Sequence, residues 1–156
     1  MNETKRLRLI VEAVRYCERV KKMHMPLAAY TKALREPVFY LWEKPKGSKV
    51  RSAKFRSKDA VGLRFGDGRL VYDHAIPFNY LQDRLLGLRR PNTVSVRKVL
   101  NKFCVAALIT KREDRRLDAA GYRSKMPKRW NRVDPLARYN AVRPKIKVVR
   151  NGTIPN

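Results

Sequence analysis

Asp73 and His74 are adjacent residues whose side chains could together hydrolyse a phosphodiester bond. A neutral imidazole can accept a proton from water near neutral pH, and a carboxylate can hold a divalent cation that stabilises charge on phosphate. The pair follows a strand-like run at residues 69–72 and precedes a turn marked by Pro77. Neighbouring strand residues point to opposite faces, so both side chains reach one site only if the chain turns after the strand ends. We expect that turn.

The charge of the chain favours a polyanionic partner. Its 156 residues include 38 Lys and Arg against 13 Asp and Glu, a net charge of +25. Neutralisation of phosphate by such side chains dominates nucleic-acid binding, so nucleic acid is the expected partner. A non-catalytic binder, either architectural or ribosome-associated, would explain the charge equally well, and a protein that binds an anionic membrane is a third possibility.

Membrane insertion is not expected from the sequence. No apolar run approaches the roughly 20 residues of a membrane span, and the N-terminal segment has Lys5, Arg6 and Arg8 instead of the apolar core of a signal peptide. We therefore expect a cytoplasmic protein with no membrane partner. Cys17 and Cys104 lie in separate apolar runs, which predicts buried free thiols and makes a structural zinc site improbable.

The elements that must position the Asp-His pair follow from apolar spacing and turn residues. Residues 3–23 and a segment that begins at Pro26 have the spacing of helices, and residues 60–65 and 69–72 read as a hairpin around Gly66-Asp67-Gly68. Two helices are expected at 78–88 and 93–103, followed by a strand at 104–109. Thr110 and Glu113 have capping-box spacing for a further helix that ends at Gly121.

These elements predict an α+β fold. We expect a basic helical lobe and loop at residues 1–58 and a second domain at residues 59–156, in which the helices at 78–88 and 93–103 form an insertion between two core strands. Glu113 is expected to cap its helix instead of binding a ligand. A simple role for Asp114, in the first turn of that helix, is to complement the helix dipole with its negative charge.

Two segments of the second domain carry a resemblance to a known family. The run Asp73-His74-Ala75-Ile76-Pro77 resembles the first motif of HNH, or ββα-metal, endonucleases, and residues 108–117 resemble the second strand and helix of that family. Looser similarity continues through residues 121–127 and 134–139. The resemblance covers about the C-terminal half of the chain and implies a ββα-metal core with metal-dependent endonuclease activity, on DNA more than RNA.

The resemblance also assigns roles to individual residues. It implies that His74 is the general base, that Asp73 is a metal ligand, and that Asp114 occupies the position of the final ligand, usually His. Two carboxylate ligands favour Mg²⁺ or Mn²⁺. The middle Asn of the family has no clear match, although Thr110 could take part of its role. Basic residues are expected to contact the nucleic-acid backbone, although a solvated surface is the simpler interpretation of such runs. They are Lys49, Arg51, Lys54, Arg56, Lys111, Arg115, Arg116, Arg123, Lys125, Lys128 and Arg129.

Overall fold

The structure is a computed structural model that describes residues 1–44 and 47–152. The α-helices are α1 (Glu3–Lys22), α2 (Leu27–Val38), α3 (Lys49–Ser52), α4 (Phe78–Leu86), α5 (Thr93–Phe103), α6 (Lys111–Ala119) and α7 (Ala137–Ala141). The strands are β1 (Phe55–Ser57), β2 (Leu70–His74), β3 (Ala106–Thr110) and β4 (Val148–Arg150). The α+β fold class with a helical N-terminal region is therefore confirmed.

The chain forms two compact units. The first comprises Met1–Gly47 and Phe78–Cys104, and the second comprises Ser48–Pro77 and Val105–Asn156. The insertion between β2 and β3 thus groups with the N-terminal helices, whereas the sequence division was placed between residues 58 and 59. Within the ranges 1–44 and 47–152, no helix is both long and apolar enough to cross a membrane.

The first unit is built from helices whose apolar faces were visible in the sequence. Leu7, Ile10, Val14 and Cys17 recur at three- and four-residue spacing along α1, and all four are fully buried. The helices α4 and α5 lie where they were predicted. Asn92 is the N-cap of α5, and its side chain accepts hydrogen bonds from the backbone of α5.

The second unit contains a four-stranded sheet in the order β2-β3-β1-β4. The strand β2 is antiparallel to β3, β1 is parallel to β3, and β4 is antiparallel to β1. The predicted hairpin of residues 60–65 and 69–72 is therefore wrong. Gly62 adopts a φ of +78°, which no regular strand allows, and Lys58–Ala60 form a 3₁₀ turn. The strand β2 pairs instead with the continuous apolar run of β3.

One face of this sheet packs beneath α6 and α7. Ala107 and Ile109 of β3 form a buried cluster with Leu117 of α6 and Tyr139 of α7, and Val71 of β2 packs against that cluster. Side chains alternate along a strand, so Asp73 is on the same face as Val71. This face, which we call the core face, therefore carries the Asp73 carboxylate towards the elements that follow β3.

The predicted capping box begins α6. The Thr110 hydroxyl accepts a hydrogen bond from the Glu113 backbone N–H at 3.2 Å, and Glu113 Oε2 accepts one from the Thr110 backbone N–H at 2.8 Å. Glu113 also accepts a 2.6 Å hydrogen bond from the Ser57 hydroxyl, which joins the helix to β1. The capping role of Glu113 is confirmed. This junction fixes the first turn of α6, where Asp114 lies, against the sheet.

Candidate functional site

The Asp73 carboxylate is held by two side chains of α7. Its Oδ2 atom accepts a hydrogen bond from Arg138 Nη2 at 2.6 Å and another from the Tyr139 hydroxyl at 2.6 Å. The Asp73 side chain is 15% exposed and that of Arg138 is 1% exposed, so the ion pair is largely removed from water. A buried charge of this kind is tolerated only because it is paired and hydrogen-bonded. Asp73 therefore has a fixed orientation on the core face.

Arg138 is a site residue that the sequence analysis missed. Besides Asp73, its guanidinium donates hydrogen bonds to the backbone carbonyls of Ala75, at 2.9 Å, of Tyr122, at 2.6 Å, and of His74. The planar fork of an arginine suits such convergent acceptors. These contacts fasten the end of β2 to the segment after α6. Nothing in the sequence separates Arg138 from the other Lys and Arg residues, which number 38 in all.

Tyr139 remains a neutral hydrogen-bond donor at this site. Burial, and then the charge and hydrogen bond of Asp73, raise the pKa of the Tyr139 hydroxyl well above its ordinary value. The phenol therefore keeps its proton at any ordinary pH and donates a hydrogen bond to the Asp73 carboxylate.

Asp114 lies close enough to Asp73 for the two carboxylates to interact. Partial burial and, second, the charge of Asp73 raise the pKa of Asp114, while Arg123 and Arg138 act in the opposite direction. Two like charges that approach each other in a partly buried place repel, and a cation between them would offset the repulsion. The two acids that the resemblance assigned to metal binding are therefore within electrostatic reach of each other.

His74 is placed differently from this pair. The strand β2 continues through His74, which pairs with Ala106 of β3, so the expected turn before it does not occur. Strand alternation puts the imidazole on the face opposite Asp73. There its ring meets the Tyr72 ring edge-on, with the centroids 5.8 Å apart. The structure therefore directs Asp73, whose charge reaches Asp114, to one face of the sheet and His74 to the other.

The carboxylate pair provides part of a metal site. In the part of the chain that the structure describes, no three or more His, Cys, Asp and Glu side chains are grouped to hold a metal ion. Both hydrogen bonds that the Asp73 side chain makes with described residues go to Oδ2, and none of them uses Oδ1. Mg²⁺ is commonly bound by one or two carboxylates together with water and substrate phosphates. The carboxylates of Asp73 and Asp114 are ligands of the kind that such an ion prefers.

Two further residues bear on the site. Thr110, which was considered for part of the role of the middle Asn, uses its hydroxyl in the capping box. The exposed Asp118, one turn after Asp114, pairs with Arg123 at 3.6 Å across the surface. Asp118 therefore provides a natural comparison for Asp114 on the same helix.

The cysteines are both free thiols, as predicted. Cys17 is buried, and Cys104 as a whole residue is half-buried. Burial and then the neighbouring Glu43 carboxylate raise the pKa of the Cys104 thiol well above its ordinary value. The thiols are thus poor nucleophiles and poor metal ligands.

Most of the predicted nucleic-acid contacts are exposed basic residues of the second unit. The exposed members are Arg51, Lys54, Lys111, Arg115, Arg123, Lys125, Lys128 and Arg129, whereas Lys49, Arg56 and Arg116 are half-buried. The Nε atoms of Arg56 and Arg116 are buried without a hydrogen-bond partner among the described residues. An unpaired buried donor is costly, so an acceptor from outside the chain would relieve that cost.

No protein-family profile, curated protein or solved structure matches this chain.

Proposed function

We propose that this protein hydrolyses phosphodiester bonds of nucleic acid, DNA more than RNA, with the help of Mg²⁺ or Mn²⁺ held by Asp73 and Asp114. The observation that supports the proposal best is the mutual repulsion of these two carboxylates, which contributes to the raised pKa of Asp114. In a chain with a net charge of +25, two interacting carboxylates indicate a functional site, because a bound cation would offset their repulsion. The HNH resemblance independently selects the same two residues.

The residues around Asp73 have a positioning role in this proposal. Arg138 and Tyr139 hold Oδ2 by two hydrogen bonds of 2.6 Å, so Asp73 needs no reorganisation when a ligand reaches Oδ1. A bound divalent ion would act as a Lewis acid that offsets charge on the phosphate and on the leaving oxygen. The exposed Lys111 and Arg115 of α6 carry positive charge beside Asp114, where they can bind the nucleic-acid backbone.

The group that accepts the proton of the attacking water is a separate part of the proposal from the carboxylate pair. The resemblance implies His74 for this role, because a neutral imidazole can accept a proton from water. His74 lies on the opposite face of β2 from the carboxylates. Its contribution is therefore tested apart from theirs.

A nicking assay on supercoiled plasmid tests the proposal. We expect nicking with Mg²⁺ or Mn²⁺, none with EDTA, and a loss of at least about a hundredfold in Asp114→Asn, because removal of one charge stabiliser commonly has that effect. Asp118→Asn is the matched control and should retain full activity. His74→Ala should lose activity if the imidazole is the base. Equal nicking by wild type and Asp114→Asn would refute the role of the carboxylate pair.

A non-catalytic nucleic-acid binder is the second candidate, and two specific observations favour it. The ion pair between Arg138 and Asp73 already neutralises one of the two acids, and His74 does not share their face. In that case Asp73 serves only to fasten the end of β2. The same assay separates the candidates, because a binder would retard plasmid DNA in a gel and leave it intact in the presence of either metal ion.

A further inference from the structure

A basic cleft in the second unit has no part in the proposed hydrolysis. Its volume is about 920 Å³, and its walls include Arg51 of α3, Arg56 of β1, and Arg64 and Phe65 from the loop between β1 and β2. None of the described residues that line it is acidic. Sites for small organic ligands have volumes of roughly 300–1,000 Å³, so the cleft has room for a nucleotide.

Arg56 places the cleft on the face of the sheet opposite the carboxylates. Its neighbour Phe55 packs against the core face, and its other neighbour Ser57 bonds to Glu113. Strand alternation therefore directs Arg56 to the opposite face. Its Nε atom is buried and has no hydrogen-bond partner among the described residues. A guanidinium with an unused buried donor is suited to an anion, and phosphate accepts the hydrogen bonds of arginine well.

Phe65 gives the cleft an aromatic surface. Its ring is half-buried, and the Lys49 ammonium group lies 6.0 Å from the ring centroid. A nucleic-acid base can stack on such a ring while its phosphate remains among the cations. The bases of a duplex are paired and stacked on each other, so they do not enter a cleft of this kind.

The wall of the cleft beside Arg51 is fastened in place. The Asn151 side chain donates hydrogen bonds to the backbone carbonyls of Val50 and, at 3.0 Å, of Ala53, while the Asn151 backbone N–H bonds to the Lys54 carbonyl at 3.0 Å. The end of β4 is thereby tied to α3. A ligand that enters the cleft meets a preformed wall, which lowers the entropic cost of binding.

We propose that this cleft binds one unpaired nucleotide of a single-stranded nucleic acid, with the phosphate on Arg56 and the base stacked on Phe65. The inference shares its ligand class with the proposed function, and the cleft lies on the same face of the sheet as His74, but the carboxylate pair that would hold the metal ion lies on the opposite face. It makes the protein selective for strands with single-stranded segments or ends.

Fluorescence anisotropy in EDTA tests the proposal without any cleavage. The probes are a labelled single-stranded oligonucleotide of about ten nucleotides and a duplex of the same length. We expect Phe65→Leu to weaken single-strand binding on the order of tenfold, the contribution of one stacked base, and Phe65→Tyr to preserve it. Arg56→Gln should weaken the same complex and lower its salt slope by about 0.7, the value for one phosphate contact of a single strand.

The controls separate this result from a general loss of charge or fold. Lys98→Gln removes an exposed charge from α5 in the first unit and should leave single-strand affinity within about twofold of the wild type. Duplex affinity should not change in Phe65→Leu. Unchanged single-strand affinity in Phe65→Leu, or an equal loss for both probes, would overturn the cleft assignment. The anisotropy assay contains EDTA and measures binding alone, whereas the nuclease proposal is tested by metal-dependent nicking, so failure of the one and failure of the other give different results.

Discussion

Replacement of Tyr139 by phenylalanine removes one hydroxyl from the contact that holds Asp73. The Tyr139 side chain is 1% exposed, and its hydroxyl donates a 2.6 Å hydrogen bond to Asp73 Oδ2. The ring remains in Tyr139→Phe, so no cavity forms, and the energetic loss is that of the hydrogen bond. Hydrogen bonds to charged groups contribute about 1.5–3 kcal/mol, and Arg138 still pairs with the same oxygen. We therefore expect a loss of about 2 kcal/mol in the free energy of unfolding.

Urea unfolding and thermal denaturation measure this loss. A change of about 2 kcal/mol corresponds to a decrease in Tm of about 4–8 °C in a chain of this length, with an unchanged urea m-value. Tyr122→Phe is the matched control, because Tyr122 packs against the same cluster and its hydroxyl makes no hydrogen bond with the described residues. It should change stability by less than about 0.5 kcal/mol. Equal effects of the two substitutions would refute the proposed hold on Asp73.

Three further predictions concern the surrounding structure. Glu113→Ala should cost about 3 kcal/mol in urea unfolding, because it removes the helix cap and leaves the buried Ser57 hydroxyl without its acceptor; a loss below about 1 kcal/mol would contradict this. Cys17 and Cys104 should react slowly with a thiol reagent at pH 8 and rapidly after unfolding in urea, since burial raises the pKa of both thiols; rapid labelling of the native protein would argue against their placement. In EDTA, the Tm of Asp114→Asn should rise relative to that of the wild type as the pH increases from about 4 to about 7. The pKa of Asp114 is raised above its ordinary value of 3.8 in the folded protein, so ionisation of Asp114 lowers the stability of the wild type over this range and cannot do so in the variant. A constant difference across that range would show that Asp114 is not perturbed.

Local signals in the sequence were sufficient for most helices and for the central strand. Leu7, Ile10 and Val14 define the buried face of α1 by spacing alone, and Thr110 with Glu113 fixes the start of α6 through a three-residue interval. Both patterns act between residues that are close in the chain. The apolar run of β3 was equally clear because it is buried on both faces of the sheet.

Long-range pairings were harder to predict. The strand β1 has only three residues, Phe55–Ser57, and it pairs in parallel with a strand about fifty residues away. A parallel pair has no tight turn between its strands, so the sequence contains no local turn signal that would predict the pairing. Gly66 and Gly68 correctly indicated a turn before β2, but the hairpin was wrong because Gly62, with its positive φ, prevents the preceding segment from forming a strand. Local turn chemistry therefore identified the turn and not the partner of β2.

The candidate site was predicted in part. The proximity of Asp73 and Asp114 came from the family resemblance, since the two residues are separated by the whole helical insertion. The contact of Arg138 with Asp73 depends on tertiary packing, and the sequence carries no local sign of it. The position of His74 depends on where β2 ends, and strand boundaries are poorly determined by sequence patterns. The strand pairs through two more residues than the predicted run of 69–72, Asp73 and His74, and this places the imidazole on the other face.

The most direct test of the carboxylate pair is a titration of the protein with Mn²⁺ followed by electron paramagnetic resonance. Loss of the free-ion signal reports binding whether or not any nucleic acid is cut. The proposal predicts a bound ion in the wild type and in Asp118→Asn, and a clear loss of binding in Asp73→Asn and Asp114→Asn. Equal binding by all four proteins, or no binding by the wild type, would contradict a metal site at Asp73 and Asp114.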